Sequence, residues 1–200
     1  MVLTQSTMLE LKTTAPDFNL MDVVSGKNMT LADFQNKKIL LVMFICRHCP
    51  YVVHIKEQLV ALNNDYASKD IALVGISSND ASSHPADAPP SLKEFMQENK
   101  LSFPLLYDET QEVAKAYTAA CTPDFFLYDR GRTLIYRGQL DESRPGNDKP
   151  LTGKDLRDAI DAALADKPVT ADQKPSAGCN IKWREGNAPC YFGPKNSSCG

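Results

Sequence analysis

Two apolar runs with an amphipathic stretch between them organise the first half of the chain. The run at 37–45 is continuous and rich in strand-forming residues, so it predicts a strand covered on both faces. A second run at 71–76 predicts another buried strand. Between them the apolar residues recur at spacings of three and four, which predicts a helix from about Cys46 or Cys49 to Tyr66. Strand, helix and strand together predict a right-handed βαβ unit.

The second half alternates helical and extended patterns. Ser91 and Glu94 resemble a capping box and predict the start of a helix after a polar, proline-rich loop at 78–90. The pattern as a whole predicts an α/β domain over 10–166, followed by an irregular, cysteine-containing C-terminal tail over 167–200. The remaining predicted elements are a short strand at 103–108, a helix at 110–119, a hairpin of 124–129 and 133–140, and a helix that begins near Thr152 and Asp155.

Charge and hydropathy narrow the classes of partner. The 200-residue chain has a formal net charge of −3, which gives no electrostatic reason to expect nucleic acid or an anionic membrane as a partner. No apolar run reaches the roughly 18 residues that a membrane helix needs. The N-terminal stretch lacks a basic start followed by an apolar core, so the expected location is the cytoplasm. A reducing compartment disfavours structural disulfides, which makes the six cysteines candidates for chemistry.

Cys46 and Cys49 lie where the first predicted strand gives way to the helix. The N-terminus of a helix favours a nearby anion, and the thiolate anion is the reactive form of cysteine. Arg47 adds a positive charge and His48 adds a charge or a hydrogen bond, so both are expected to tune the site. Pro50 falls in the first turns of the helix, or kinks it if the helix already begins near Cys46. We therefore expect an exposed, acidic and nucleophilic Cys46, with Cys49 as the shielded resolving thiol.

Two other interpretations of this cysteine pair are open. The pair can be two buried thiols without chemistry, or it can hold a zinc ion. A zinc site normally needs a second pair of ligands at short spacing. The three tail cysteines are separated by 11 and 9 residues, which fits no common zinc finger; they are Cys179, Cys190 and Cys199. We therefore expect neither a metal nor an organic cofactor.

The stretch "ACTPDFF" at 120–126 carries a second set of site candidates. Pro123 follows Thr122 directly before a predicted strand, which fits a cis X–Pro bond, although most X–Pro bonds in folded proteins are trans. If this loop faces the dithiol, Cys121 lies near the site as a candidate third redox thiol; otherwise it is a small buried side chain. Cys179 is a further candidate for a redox thiol, unless the tail cysteines only reflect composition.

Three stretches resemble the thioredoxin superfamily, and within it the redoxin or peroxiredoxin-like (AhpC/TSA-like) branch. The segment from "APDF" through "FICRHCP" is similar to the opening segment of that branch, "CTPDFFLYD" to its cis-proline loop, and "GCNIKW" to a tail motif of a thioredoxin-like subgroup. The resemblance implies a thioredoxin-like fold with a central mixed sheet flanked by helices. It also implies that Cys46 attacks, that Cys49 resolves, and that a cis Thr122–Pro123 bond faces them.

Two positions depart from the pattern of these families. Met43 stands where peroxiredoxins carry a threonine or serine three residues before the peroxidatic cysteine, so the hydroxyl that helps to position peroxide is missing. Leu40 stands where thioredoxins carry a buried aspartate, so that proton acceptor is missing as well. The first departure argues against a peroxidase.

A Cys-x-x-Cys pair after a buried strand and inside a βαβ unit is typical of a thioredoxin-like redox site. The sequence therefore predicts a thiol–disulfide oxidoreductase, a thioredoxin-like antioxidant enzyme. Its expected partners are protein or small-molecule disulfides and a thiol electron donor that the sequence does not identify. One alternative is a peroxiredoxin-like thiol peroxidase that reduces peroxides. Another is a metal-binding or thiol-sensing module without turnover, since one fold hosts all three functions.

Overall fold

The computed structural model describes residues 3–192. Within that range the chain forms ten strands and four α-helices. The strands are β1 (Leu3–Gln5), β2 (Asn19–Asp22), β3 (Asn28–Thr30), β4 (Ile39–Phe44), β5 (Ile71–Ser77), β6 (Leu105–Tyr107), β7 (Cys121–Thr122), β8 (Asp124–Tyr128), β9 (Leu134–Gly138) and β10 (Ala177–Asn180). The helices are α1 (Pro50–Tyr66), α2 (Pro89–Glu98), α3 (Glu112–Ala116) and α4 (Lys154–Leu164). Among these helices none combines the length and the hydropathy that crossing a bilayer requires.

A seven-stranded mixed sheet forms the centre of the fold, in the order β3-β2-β6-β5-β4-β8-β9. β4 lies in its interior, parallel to β5 and antiparallel to β8. All six residues of β4 are buried, which confirms the prediction of a strand covered on both faces. The predicted hairpin is confirmed as well, because β8 pairs antiparallel with β9. The sheet and its flanking helices form the predicted α/β fold.

The predicted βαβ unit is formed by β4, α1 and β5. α1 begins at Pro50 with Cys49 as its N-cap residue, so the later of the two predicted starting points is the observed one. Pro50 takes the first helical position, where its missing N–H costs least and its fixed φ suits the helix, so it does not kink α1. The buried face of α1 is the one that the spacing predicts: Val52, Ile55, Leu59, Leu62 and Tyr66.

The two faces of the sheet carry separate apolar clusters, because side chains along a strand alternate between faces. The site-face cluster packs α1, α2 and α4 against Leu41 and Met43 of β4, and it also contains Cys46, Cys49 and Cys179. The opposite-face cluster packs α3 against Leu40, Val42 and Phe44 of β4. It contains several aromatic rings: Phe18, Phe34, Phe44, Tyr117, Phe126 and Tyr128. The cysteine pair therefore lies at the edge of one core and not between the two.

A three-stranded sheet, in the order β1-β10-β7, pairs the tail strand β10 with both β1 and β7, and β7 directly precedes Pro123. β10 interrupts the tail that the sequence predicts as irregular, and the rest of 167–192 forms neither helix nor strand. Cys179 pairs with Thr122 in this sheet, so the tail strand lies directly on the residues that precede Pro123. The division of the chain into 10–166 and 167–200 stays a prediction.

One predicted helix start is wrong and another is confirmed. α2 begins at Pro89, before the predicted Ser91–Glu94 capping box, because two prolines with preset φ already provide its first positions. α4 begins at Lys154, between Thr152 and Asp155 as predicted, and a glycine in the left-handed conformation directly precedes it as the N-cap. The buried residues are Leu92, Phe95 and Met96 in α2 and Leu156, Ala159 and Ile160 in α4.

Candidate active site

Cys46 lies two residues beyond the end of β4, and Cys49 caps the N-terminus of α1. The Cys49 carbonyl accepts the backbone N–H groups of Val52 and Val53, each at 2.9 Å, which begins the hydrogen-bond pattern of the helix. Both cysteines are reduced thiols, with 1% of Cys46 and 0% of Cys49 exposed. The expectation of an exposed Cys46 is therefore wrong, because the Thr122–Pro123 loop and neighbouring elements close over the strand–helix junction.

The Thr122–Pro123 peptide bond is cis, as the sequence predicts. Its threonine contacts both thiols. Cys46 Sγ lies 3.4 Å from Thr122 Oγ1, and Cys49 Sγ donates to the Thr122 carbonyl oxygen at 3.2 Å. The loop thus holds one polar residue against the two sulfur atoms at once.

The surroundings of the thiol pair lower the pKa of Cys49 and raise the pKa of Cys46. A hydrogen bond from the Cys46 thiol lowers the pKa of Cys49, and donors from Cys179, Thr122 and the Val52 backbone act in the same direction. The contact with the Thr122 carbonyl favours the neutral thiol, but these donors outweigh it. Burial raises the pKa of Cys46 well above its ordinary value, and the charge of Asp87 adds to the shift. The expectation that Cys46 is the acidic thiol is wrong, because burial raises its pKa and α1 begins four residues after it, at Pro50.

Asp87 is a site residue that the sequence analysis did not identify. Its side chain is fully buried beside the cysteines, at the end of a short 3-10 turn over Pro85–Asp87. One carboxylate oxygen accepts the backbone N–H groups of Arg47 at 2.8 Å and His48 at 3.3 Å, and the other accepts Asn79 Nδ2 at 2.7 Å. Burial alone would raise the pKa of Asp87, but its hydrogen bonds to His48 and Asn79 outweigh burial and lower that pKa. The carboxylate is therefore ionised and fully hydrogen-bonded.

His48 completes this arrangement. Its Nδ1 pairs with the second carboxylate oxygen of Asp87, and its ring stacks on the ring of His84 with centroids 5.1 Å apart. A ring nitrogen of His48, an oxygen of Asp87 and the Cys46 sulfur all lie within 4.8 Å of one another. The three groups offer the donor types of a metal site, but both oxygens of Asp87 already accept N–H groups, so the cluster is a hydrogen-bonded network.

The Arg47 side chain points away from the sulfur atoms. Its guanidinium donates to the Ser91 carbonyl oxygen and to Glu94, both at 2.8 Å, and reaches Glu98 at 3.5 Å. These acidic partners offset its charge at the surface of α2. Arg47 contacts the site through its backbone N–H, which donates a hydrogen bond to Asp87.

Of the two further thiols that the sequence singles out, Cys179 joins the pair most directly. Its side chain forms a hydrogen bond with Cys49, and burial raises the pKa of Cys179 to about 12. Cys121 lies on the neighbouring strand, and its sulfur contacts the Pro123 carbonyl at 3.6 Å. Burial and then the charge of Asp124 raise the pKa of Cys121 well above its ordinary value. Cys199 lies outside the described residues.

The sheet order, the cis loop and the capped thiol together define a thioredoxin-like protein with a paired-cysteine site, and thioredoxin-like solved structures share this fold. The chain belongs to the AhpC/TSA family, whose model matches residues 11–137. A solved structure of an uncharacterized conserved protein from Geobacillus kaustophilus is 49% identical with a TM-score of 0.90, over 92% of this chain and 97% of that one.

Two named relatives represent two activities within this class. One is the protein named "Putative peroxiredoxin bcp" from Helicobacter pylori, which is 30% identical over 56% of this chain and 67% of that protein. The other is the thiol-disulfide oxidoreductase ResA from Bacillus thuringiensis, which is 24% identical over 66% of this chain and 71% of that protein. The comparisons therefore show a redox enzyme class, with disulfide and peroxide chemistry both represented.

Proposed function

We propose that this protein is a thiol–disulfide oxidoreductase in which Cys46 and Cys49 alternate between a dithiol and a disulfide. The observation that carries the proposal is the contact of both sulfur atoms with Thr122, at 3.4 Å and 3.2 Å, on the loop that precedes Pro123. The two thiols are also hydrogen-bonded to each other, so they lie within reach for exchange. The relative named as a thiol-disulfide oxidoreductase supports the same chemistry.

The geometry favours Cys49 as the attacking thiolate and Cys46 as the resolving thiol, the reverse of the assignment that the family resemblance implies. Cys49 is the N-cap of α1 and receives the hydrogen bonds that stabilise an anion. Its sulfur would attack a substrate disulfide and form a mixed disulfide. Cys46 would then attack Cys49 and release the substrate as a thiol, an internal step that benefits from a very high effective concentration.

Cys179 belongs to the proposed site as its third thiol. Its hydrogen bond with Cys49 gives the mixed disulfide a second internal thiol within reach. The high pKa of Cys179 makes it a slower nucleophile than an ionised thiol would be. A thiol donor of a class that the site does not specify would return the oxidised pair to the dithiol.

A thiol peroxidase is the second candidate function, and one observation favours it. Cys46 and Cys49 are almost fully buried, and a peroxide is small enough to reach a sulfur that a folded protein substrate would not touch without movement of β10. The relative named as a peroxiredoxin points the same way. Met43, fully buried on β4, opposes it, because that side chain offers no hydroxyl to hold a peroxide.

Trapping the mixed disulfide tests both the reaction and the roles. The reduced protein, Cys46→Ser and Cys49→Ser are each mixed with glutathione disulfide or with hydrogen peroxide, and adducts are measured by mass at short times. We expect Cys46→Ser to accumulate a glutathione adduct at Cys49 and Cys49→Ser to form little. Cys121→Ser is the matched control and should behave as the unmodified chain.

Two results would change these conclusions. Adduct accumulation in Cys49→Ser and not in Cys46→Ser would restore the assignment of Cys46 as the attacking thiol. Rapid oxidation of the reduced chain by peroxide, with glutathione disulfide inert, would establish the peroxidase instead.

A further inference from the structure

The proposed reaction leaves one proton without an obvious acceptor. Cys46 can attack a mixed disulfide at Cys49 only after it loses its thiol proton, because the thiolate is the nucleophile. With 1% of Cys46 exposed, water has little access to that proton. Leu40 and the other residues of β4 are apolar, so the strand that leads to the thiols supplies no base. A base must therefore come from another element.

The His48–Asp87 pair is the base that the fold brings to this position. A ring nitrogen of His48 and an oxygen of Asp87 lie within 4.8 Å of the Cys46 sulfur. Asp87 is fixed by three N–H donors, one of them from Asn79, so its carboxylate holds the His48 ring in one orientation. His84 stacks on the outer side of the same ring and limits its rotation.

We propose that the imidazole of His48, oriented by Asp87, accepts the Cys46 proton during release of the substrate. This inference rests on the proposed function. His48 is the proton-transfer group, and Asp87 is a positioning residue that also balances the charge of the imidazolium. The pair takes the place of the buried aspartate that thioredoxins carry where this chain has Leu40.

The step is balanced in atoms and electrons. The S–H bond of Cys46 breaks and its proton passes to His48, while the Cys46 sulfur forms a bond to the Cys49 sulfur. The bond between Cys49 and the substrate sulfur breaks, and the substrate leaves as a thiolate. That thiolate takes the proton from His48 and departs as a thiol. The dithiol is oxidised by two electrons, and the substrate disulfide is reduced by the same two.

The surroundings of His48 keep the imidazole available for this step. The Arg47 guanidinium pairs with Glu94 and Glu98 on α2. His84, which stacks on the His48 ring, has both basic and acidic side chains near it: Lys182, Asp80 and Asp87. The groups that face the pair are Cys46 after β4, Arg47 beside it, Asp80 and His84 on the loop after β5, Asp87 on the 3-10 turn, and Lys182 after β10.

The internal release step can be measured directly with glutathione disulfide as the probe. Reduced protein is mixed with an excess of the probe across a range of pH, quenched with acid, and analysed by mass for the mixed disulfide and for the internal disulfide. In the unmodified chain we expect the release rate to rise with pH and then to level off. His48→Gln should slow release by about a hundredfold, as is usual when a general base is lost, and remove that plateau.

The variant Asp87→Asn tests whether Asp87 acts by positioning His48 or only through its charge beside Cys46. Loss of a negative charge beside Cys46 would by itself make that thiol more acidic and speed release. The proposal requires the opposite, slower release with accumulation of the mixed disulfide, because the imidazole loses its orientation. His54→Gln is the matched control, since that histidine lies on α1 and bonds Ser143 at 2.8 Å.

Rescue makes the test independent of how well one variant folds. Free imidazole should restore release in His48→Ala and leave the unmodified chain unaffected, an outcome that a misfolded protein would not give. Faster release in Asp87→Asn, or an unchanged rate and plateau in His48→Gln, would overturn this inference and leave the proposed function intact. Failure of the unmodified chain and of Cys46→Ser to form any mixed disulfide would overturn the proposed function and this inference with it.

Discussion

Two buried carboxylates, Asp87 and Asp124, lie close to the Thr122–Pro123 loop and differ in how they are held. Both side chains are fully buried. Both oxygens of Asp87 accept hydrogen bonds. Within the described residues neither oxygen of Asp124 has a hydrogen-bond partner, and its nearest cation is Arg137, with Nη2 3.9 Å away. Burial raises the pKa of Asp124 to about 7, whereas the hydrogen bonds of Asp87 lower its pKa.

The difference comes from local backbone structure. Asp87 faces the Arg47–His48 segment, which belongs to neither helix nor strand and so has backbone N–H groups free to bind a carboxylate. Asp124 begins β8, where neighbouring backbone groups are used in the ladders with β4 and β9. The pKa of a buried carboxylate is therefore lowered where loop N–H groups bind it, as at Asp87. It is raised where the neighbouring backbone groups are used in strand pairing, as at Asp124.

Removal of the Arg137 guanidinium is expected to have the largest effect on stability. Arg137→Met leaves the Asp124 carboxylate buried without its cation at pH 8, and breaking a buried ion pair typically costs about 3–5 kcal/mol. The free energy of unfolding in urea measures the loss. The double variant Arg137→Met/Asp124→Asn should recover most of it, because no buried charge is left unpaired. A loss below about 1 kcal/mol for the single variant would mean that the pair contributes as little as a surface ion pair.

The two carboxylates should give stability contributions of opposite slope with pH. The folded pKa of Asp124, about 7, lies above the unfolded value of about 3.9. Its contribution is therefore fully present below about pH 4 and is lost as pH rises through 7. The folded pKa of Asp87 is lowered, so its contribution is present above the unfolded pKa and is lost as pH falls through the folded one.

Urea unfolding of Asp124→Asn and Asp87→Asn across this range checks both signs. The unfolding free energy of the unmodified chain relative to Asp124→Asn should decrease as pH rises from 4 to 8. Relative to Asp87→Asn, it should decrease as pH is lowered below 4. The exposed Asp148→Asn serves as the control and should give a flat difference. If both differences in unfolding free energy changed with pH in the same direction, the two carboxylates would not differ as described.

Enlarging Gly178 should have the smallest effect of the three on stability and a specific effect on the thiols. An added Cβ would lie 2.0 Å from the Thr122 carbonyl oxygen, so Gly178→Ala must push β10 away from β7. We expect a loss of about 1–3 kcal/mol in unfolding free energy, the usual cost of overpacking, and faster labelling of Cys49 by a thiol reagent. Gly131→Ala is the control, because its nearest contact would be 3.4 Å. Unchanged labelling would show that β10 does not limit access to the site.

The sequence by itself determined the elements that depend on local pattern. The β4–α1–β5 unit follows from continuous apolar runs and a three-four spacing, which act within a few residues. The Thr122–Pro123 turn and the family follow from short stretches with distinctive residues. The start of α1 at Pro50 was also readable in principle, because proline favours the first position of a helix.

Only the tertiary structure decided which groups surround the thiols. Asp87 lies in a polar loop whose composition predicts a turn and nothing more, and it meets His48 because β5 returns that loop to the end of β4. Cys179 reaches Cys49 because β10 pairs with β7, a contact between strands more than fifty residues apart that leaves no periodic signal. The same packing buries both thiols and shifts their pKa values in opposite directions. Exposure and pKa depend on what covers a residue, and the covering elements come from distant parts of the chain.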